Sequence, residues 1–197
     1  MTYRRKDPHY RRARAAGYRA RSAYKLAELD ARFSLLHRGD FVVDLGAWPG
    51  AWLQVALERV GPEGRIVGVD LVAIEPLPVQ NVRLVIGDVR DPAIEHAVLA
   101  RLGRRADVVL SDLAPKLTGI RDTDEARSAE LVDATLRALP ELLRPGGLLL
   151  IKLFMSDAYR DTLHQIRPLF ADVRATRPEA TRQGSAELYA LGRKYRA

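Results

Sequence analysis

The chain reads as an α/β protein with a mostly parallel sheet of seven strands, helices on both faces and an antiparallel strand at its C-terminal end. Three observations predict this. Short apolar runs alternate with helical patterns along most of the sequence, which implies parallel strands covered by helices. The first of those runs ends in a Gly/Pro turn that opens a helix, Asp44-Leu45-Gly46-Ala47-Trp48-Pro49-Gly50-Ala51-Trp52. The last two runs are joined by Arg177 to Ala186, a link without helical pattern, which favours an antiparallel pair.

The elements follow in order. Residues 1–20 are polar, basic and without apolar period, and read as a flexible tail. Ser22 is placed to cap a helix that carries Ala23, Leu26, Ala27 and Leu29 at helical spacing as far as Phe33, with Gly39-Asp40 as the break. Phe41–Leu45 is an apolar strand. Trp52–Val60 is a helix closed by Gly61-Pro62. Ile66–Val69 and Val82–Ile86 are strands, Pro92–Leu102 a helix and Asp107–Ser111 a strand. Asp124–Leu143 is a long helix, Gly147–Leu153 a strand and Ala158–Ile166 a helix. Ala171–Thr176 and Glu187–Leu191 complete the sheet. The expected organisation is a basic tail over 1–20 and one domain over 21–197, without repeats or low-complexity tracts.

Composition narrows the function. At 197 residues, with 47% hydrophobic and 29% charged residues, one soluble domain with a substantial core is expected. No apolar run is long enough to cross a bilayer and the N-terminus has no signal-peptide core, so a cytoplasmic protein without a membrane partner is expected. There is no cysteine, which removes disulfides, thiolate metal sites and cysteine nucleophiles. The four histidines show no ligand spacing, and no metal site is expected. The net charge of +7 resides in residues 1–40, which hold 11 Lys/Arg against 4 Asp/Glu. There Arg alternates with Tyr3, Tyr10, Tyr18 and Tyr24. Arginine neutralises phosphates and aromatic faces stack on unpaired bases, so a nucleic acid is the expected partner.

Ligands on such sheets bind beyond the carboxyl ends of the strands. That edge collects the Gly46–Gly50 turn, Asp70, Asp88, Asp112 and Lys152, and also Glu187 if the last strand runs antiparallel. Asp70 stands about 20 residues after the turn, the spacing of an acid that holds a nucleotide-type ribose. Asp70, Asp88 and Asp112 also have a plainer reading as cap or turn residues, and Glu187 as a surface strand residue. Lys152 ends a strongly apolar strand, where lysine seldom sits without a partner. The chain has five lysines against 27 arginines. A lysine kept where arginine is the habit suggests a group that must lose its proton, which arginine effectively cannot. Lys152 is therefore a candidate general base and Lys25 a candidate second cation.

These segments resemble the FtsJ/RrmJ family of S-adenosylmethionine-dependent ribose 2′-O-methyltransferases that act on large-subunit ribosomal RNA. The matching stretches are Arg21–Leu26, Asp44–Trp52, Asp70-Leu71, Gly87–Asp91, Ser111–Pro115, Ile151–Phe154 and Ser185–Tyr189, in family order over roughly residues 17 to 193. The resemblance implies the class I methyltransferase (Rossmann-like) fold and S-adenosyl-L-methionine as cofactor. It also implies a catalytic set of Lys25, Asp112, Lys152 and Glu187, with Lys152 accepting the proton of a ribose 2′-hydroxyl. Gly46, Gly50, Trp52, Asp70, Asp88 and Asp112 would contact the donor. The implied substrate is a uridine of 23S rRNA, free or in the large ribosomal subunit, with the enzyme a monomer. Trp48, Ala51, Lys116 and Met155-Ser156 depart from the family pattern. The rival readings are a transfer-RNA 2′-O-methyltransferase of the same superfamily, a haemolysin-like rRNA methyltransferase and a non-catalytic RNA-binding assembly factor.

Overall fold

The computed structural model describes residues 8–155, 159–181 and 184–196, with the backbone alone for 8–10. Its strands are β1 (Phe41–Leu45), β2 (Arg65–Asp70), β3 (Val82–Ile86), β4 (Ala106–Ser111), β5 (Leu143–Phe154), β6 (Phe170–Thr176) and β7 (Glu187–Tyr195). They form one sheet in the order β3-β2-β1-β4-β5-β7-β6. The β1–β5 pairings are parallel, and β7 lies antiparallel between β5 and β6. The helices are α1 (Pro8–Ala15), α2 (Ala23–Phe33), α3 (Ala51–Val60), α4 (Ala93–Leu102), α5 (Arg121–Leu142) and α6 (Tyr159–Ile166). Among the described residues no helix is long and apolar enough to cross a membrane.

Side chains alternate across a strand, and here each face has its own core. Val43 and Leu45 of β1 pack with residues of α4, α5 and α6. Val42 packs on the other face with residues of α2 and α3. A sheet buried on both faces explains why β1 reads as a continuous apolar run. Strand order reverses at β1, with β2 on one side and β4 on the other. The crossovers diverge there, and a crevice opens at the carboxyl ends.

The expected strands and helices are present, with shifted ends. β5 begins at Leu143 rather than Gly147, because Leu143 pairs with Ala106 before the register slips at Val108. β7 continues to Tyr195, paired to Phe170. Three local expectations are corrected. Ser22 precedes α2 but makes no side-chain cap bond. The helix runs to Phe33 as expected, but its stop is Ser34 rather than Gly39-Asp40: Ser34 is left-handed (φ 50°) and returns its N–H to the Asp30 carbonyl. Asp30 completes that end, its carboxylate accepting the Leu35 and Leu36 N–H groups and pairing with Arg59.

The third correction concerns the basic stretch. Residues 1–7 lie outside the described residues, but Pro8–Ala15 is a helix rather than an unstructured tail. Ala13 is fully buried. Tyr18 donates its hydroxyl to Glu58 and packs edge-on against Tyr24 at 5.8 Å. Those two rings belong to the packing rather than to an open stacking surface, while Arg11, Arg12 and Arg14 remain exposed on α1.

One residue of β1 breaks the apolar rule. Asp44 is fully buried, and neither carboxylate oxygen has a hydrogen-bond partner. Burial pushes its carboxyl well above the ordinary range, and the charges of Asp112 and Asp70 push the same way. The native state therefore keeps a proton that the unfolded chain releases near pH ~3.9. Above that pH stability falls by about 1.4 kcal/mol per unit until the native carboxyl itself ionises. The stability of wild type minus that of Asp44→Asn, from urea unfolding, is expected to decline as pH rises from 5 to 7. A flat difference would show that the group ionises alike in both states.

Candidate active site

The site starts from a close approach of two backbones. The N–H groups of Gly46 and Ala47 both reach the Val69 carbonyl, and the Asp112 N–H reaches the Leu45 carbonyl. These bonds press the turn after β1 against the ends of β2 and β4. Gly46 has φ +81°, and a Cβ there would stand 2.9 Å from the Leu113 nitrogen. Only glycine satisfies both conditions.

Beside this turn lies a pocket of about 650 Å³ whose lining includes Gly46, Trp48, Asp70, Asp88, Asp112 and Leu113. Asp70 closes the loop as well as facing the pocket. Its two oxygens accept the Trp48 and Val72 N–H groups at 2.9 Å each. A carboxylate has about four acceptor positions, so half remain for a ligand. Asp88 is held two-pronged by Arg90, with the shortest contact 2.6 Å. The Arg90 hydrogen bonds lower the Asp88 carboxyl below its ordinary value.

Gly50 and Trp52, the other residues expected to contact the donor, are not among the pocket's lining residues. Gly50 (φ +102°) begins α3, and its Cβ position is filled by the Arg19 guanidinium. The Trp52 indole turns into the core instead. It donates to the Ser22 carbonyl at 2.9 Å and packs on Tyr189 with ring centres 5.9 Å apart. Arg19 was legible only as one more basic residue. It donates to the Pro49, Glu75 and Pro76 carbonyls and so pins the glycine turn from outside.

The four expected chemical residues converge. Lys25 Nζ lies 2.7 Å from Glu187 Oε2. Lys152 Nζ lies 2.7 Å from the Asp112 carbonyl and 3.1 Å from Asp112 Oδ1. Each lysine is only 6% exposed. Register explains the meeting: Lys152 pairs with Tyr189 across β5 and β7, and Phe154 with Glu187. Tyr189, which was not among the expected site residues, joins the two ion pairs. Its hydroxyl donates to Asp112 Oδ1 at 2.8 Å, and Lys25 Nζ sits 6.0 Å from its ring centre. The signal for it was period two: residue 189 shares a face with residue 187.

Electrostatics follow from this packing. Burial pushes the Glu187 carboxyl up. The hydrogen bond from Lys25 and the charges of Lys25 and Lys152 outweigh that and leave it below the ordinary range. Burial pushes the Tyr189 hydroxyl well up, and the adjacent Asp112 carboxylate pushes it further. Tyr189 therefore stays a donor at neutral pH and fixes one Asp112 oxygen. Among the described residues no group of three or more His, Cys, Asp or Glu is arranged to hold a metal ion.

Residues 18–195 match the family described as FtsJ-like methyltransferase. A protein of Methanothrix thermoacetophila named ribosomal RNA large subunit methyltransferase E is 49% identical over 96% of this chain and 72% of its own length. A protein of the same name from Methanothermobacter thermautotrophicus is 42% identical over 98% of this chain and 92% of its own. Among solved structures, one from Plasmodium falciparum described as a ribosomal RNA methyltransferase superposes with a TM-score of 0.80. It is 26% identical and covers 90% of this chain and 98% of its own.

The close approach at Gly46 can be separated from its backbone angle. Gly39 has nearly the same φ (+82°), but its Cβ position is open. Each alanine substitution incurs the left-handed cost of roughly 1–2 kcal/mol. Gly46→Ala is expected to lose at least about 1 kcal/mol more than Gly39→Ala in urea unfolding, because Leu113 must move. Equal losses would mean that the contact with Leu113 yields freely.

Proposed function

The chain belongs to the FtsJ-like methyltransferase family, and on that premise we propose that it methylates a ribose 2′-hydroxyl of a uridine in 23S rRNA, with Lys152 as general base. The observation that carries the proposal is the buried Lys152–Asp112–Tyr189–Glu187–Lys25 cluster beside a cofactor-sized pocket. A binding module has no need to bury two lysines at such a place.

The pocket fits S-adenosylmethionine. Its volume lies within the ordinary range for small-molecule sites. Gly46 is part of its lining, and Asp70 retains acceptor capacity for ribose hydroxyls. Asp88 would face the base edge and Asp112 the reacting end. When bound, the donor supplies a methyl group already activated by the sulfonium.

The protein's own part is to position the acceptor and take its proton. A ribose hydroxyl is a poor nucleophile until that proton leaves. Lys152 is aimed by two bonds to Asp112, and Asp112 is fixed by Tyr189. Lys25 and Glu187 form the facing pair, which orients the hydroxyl toward Lys152. Such positioned proton transfer typically contributes ~10²–10⁴-fold. The exposed Arg11, Arg12 and Arg14 of α1 would meet phosphates of the RNA. The names of the relatives support large-subunit rRNA as the substrate, and with it a cytoplasmic site of action.

Labelled donor offered with separated rRNA, large subunits and tRNA is expected to mark the large-subunit RNA, at a ribose that mapping identifies as uridine. Label on tRNA alone would overturn the substrate, and label on a base would overturn the chemistry. Lys152→Ala is expected to lower transfer about 10²–10⁴-fold at saturating donor while donor affinity holds. A loss within about tenfold would remove Lys152 as the base. Asp70→Ala should instead weaken donor binding, read by calorimetry with S-adenosylhomocysteine, and an unchanged affinity would detach Asp70 from the donor.

A further inference from the structure

A second cavity adjoins Lys152. It measures about 270 Å³, and its walls include Leu117, Ala129, Leu153, Phe154, Met155 and Tyr159. Lys152 itself lines it, and so do Leu113 and Leu131, which also line the larger pocket. The two spaces are therefore neighbours that share the walls of Leu113 and Leu131, with Lys152 on the smaller and Asp112 on the larger. The function outlined above uses only the larger one.

We infer that the smaller cavity receives the nucleobase of the acceptor nucleotide, turned out of its stack so that its ribose lies at Lys152. The inference rests on the proposed 2′-hydroxyl chemistry. A sugar whose 2′-oxygen is at Lys152 carries its base only three bonds away, so the base must occupy a space next to that lysine. One such space is assigned to the donor. The other is this cavity.

Its chemistry suits a flat neutral ring. The walls are mostly apolar, with the aromatic rings of Phe154 and Tyr159, and extruded bases are held between such surfaces. The polar groups at its α5 end are already engaged with one another. The Asp124 carboxylate accepts the N–H and hydroxyl of Thr118 and the N–H of Gly119. Glu125 pairs with Arg121, and the Ser128 hydroxyl donates to the Asp124 carbonyl. These bonds shape the loop and present no cluster of free positive charge to a phosphate. Leu117 and Met155, by contrast, stand 67% and 63% exposed. Large apolar side chains that line a cavity and also face solvent are those that an incoming base would cover.

The cavity can be filled without touching the donor pocket, because Ala129 lines only the smaller space. Ala129→Trp is expected to leave the affinity for S-adenosylhomocysteine within about twofold and to lower kcat/KM for large-subunit RNA at least tenfold. Leu117→Ala, which removes wall surface without adding bulk, is expected to lower kcat/KM about three- to tenfold. Wild-type kcat/KM in an Ala129→Trp protein that still binds S-adenosylhomocysteine overturns the inference. If that variant does not fold, unchanged kcat/KM in Leu117→Ala overturns it. If wild type transfers no methyl group to any RNA, the proposed function fails separately. The cavity is then judged by RNA binding at saturating S-adenosylhomocysteine, where an undiminished affinity in both variants overturns it.

Discussion

Two lysine ammoniums held almost out of solvent impose the main constraint on this fold. A buried cation needs a partner at hydrogen-bond distance, and losing it costs several kcal/mol. Lys25 comes from α2 and Lys152 from β5, yet their carboxylates come from β7 and from the segment after β4. The ion pairs can form only if α2 lies over the carboxyl edge of the sheet and β7 runs antiparallel. Run the other way, β7 would place Glu187 at the opposite edge. The antiparallel β7 is thus a device that carries an acid and a tyrosine to the edge where the parallel strands end.

The glycine turn answers the same demand from the other side. Asp112 receives the bond of Lys152 and gives its own N–H to Leu45. The end of β4 is therefore stitched to the end of β1 one residue before the turn. Gly46 lets the Leu113 backbone pass close to it, and Arg19 braces the outer side through three carbonyls. Pocket and lysine cluster share Asp112 and cannot be positioned independently.

Most of this was legible because it lies in local signals. Apolar runs bounded by Gly and Pro gave the strands, and a lysine at the end of an apolar strand stood out against a chain that otherwise uses arginine. Where reading failed, the deciding partner was distant in sequence. Tyr18 and Tyr24 look like stacking residues until Glu58 and the packing of α1 are known. Trp52 looks like a pocket residue until its indole is found on Ser22 and Tyr189. The end of α2 is set by Asp30, whose side chain bonds residues 35 and 36 and pairs with Arg59 of α3. The meeting of Lys25 with Glu187 spans 162 residues. Family order carried the expectation of that meeting, since no local pattern encodes it.

Burial alone does not tell the two lysines apart, since both are equally hidden. Their partners do. Glu187 is pulled low by Lys25 and Lys152 together, so it remains a carboxylate at neutral pH and the Lys25 pair stands as fixed charges. Asp112 divides one oxygen between Lys152 and Tyr189 and gives its carbonyl to Lys152 as well. Should Lys152 change its protonation, Tyr189 would still hold that oxygen in place, and the Asp112 carboxylate would not be stranded. Glu187 is held by Lys25 and by Ser185, whose hydroxyl oxygen also accepts the Glu187 N–H. Of the two lysines, only Lys152 borders the smaller cavity. That position is what favours Lys152 over Lys25 for the proton-accepting role proposed above.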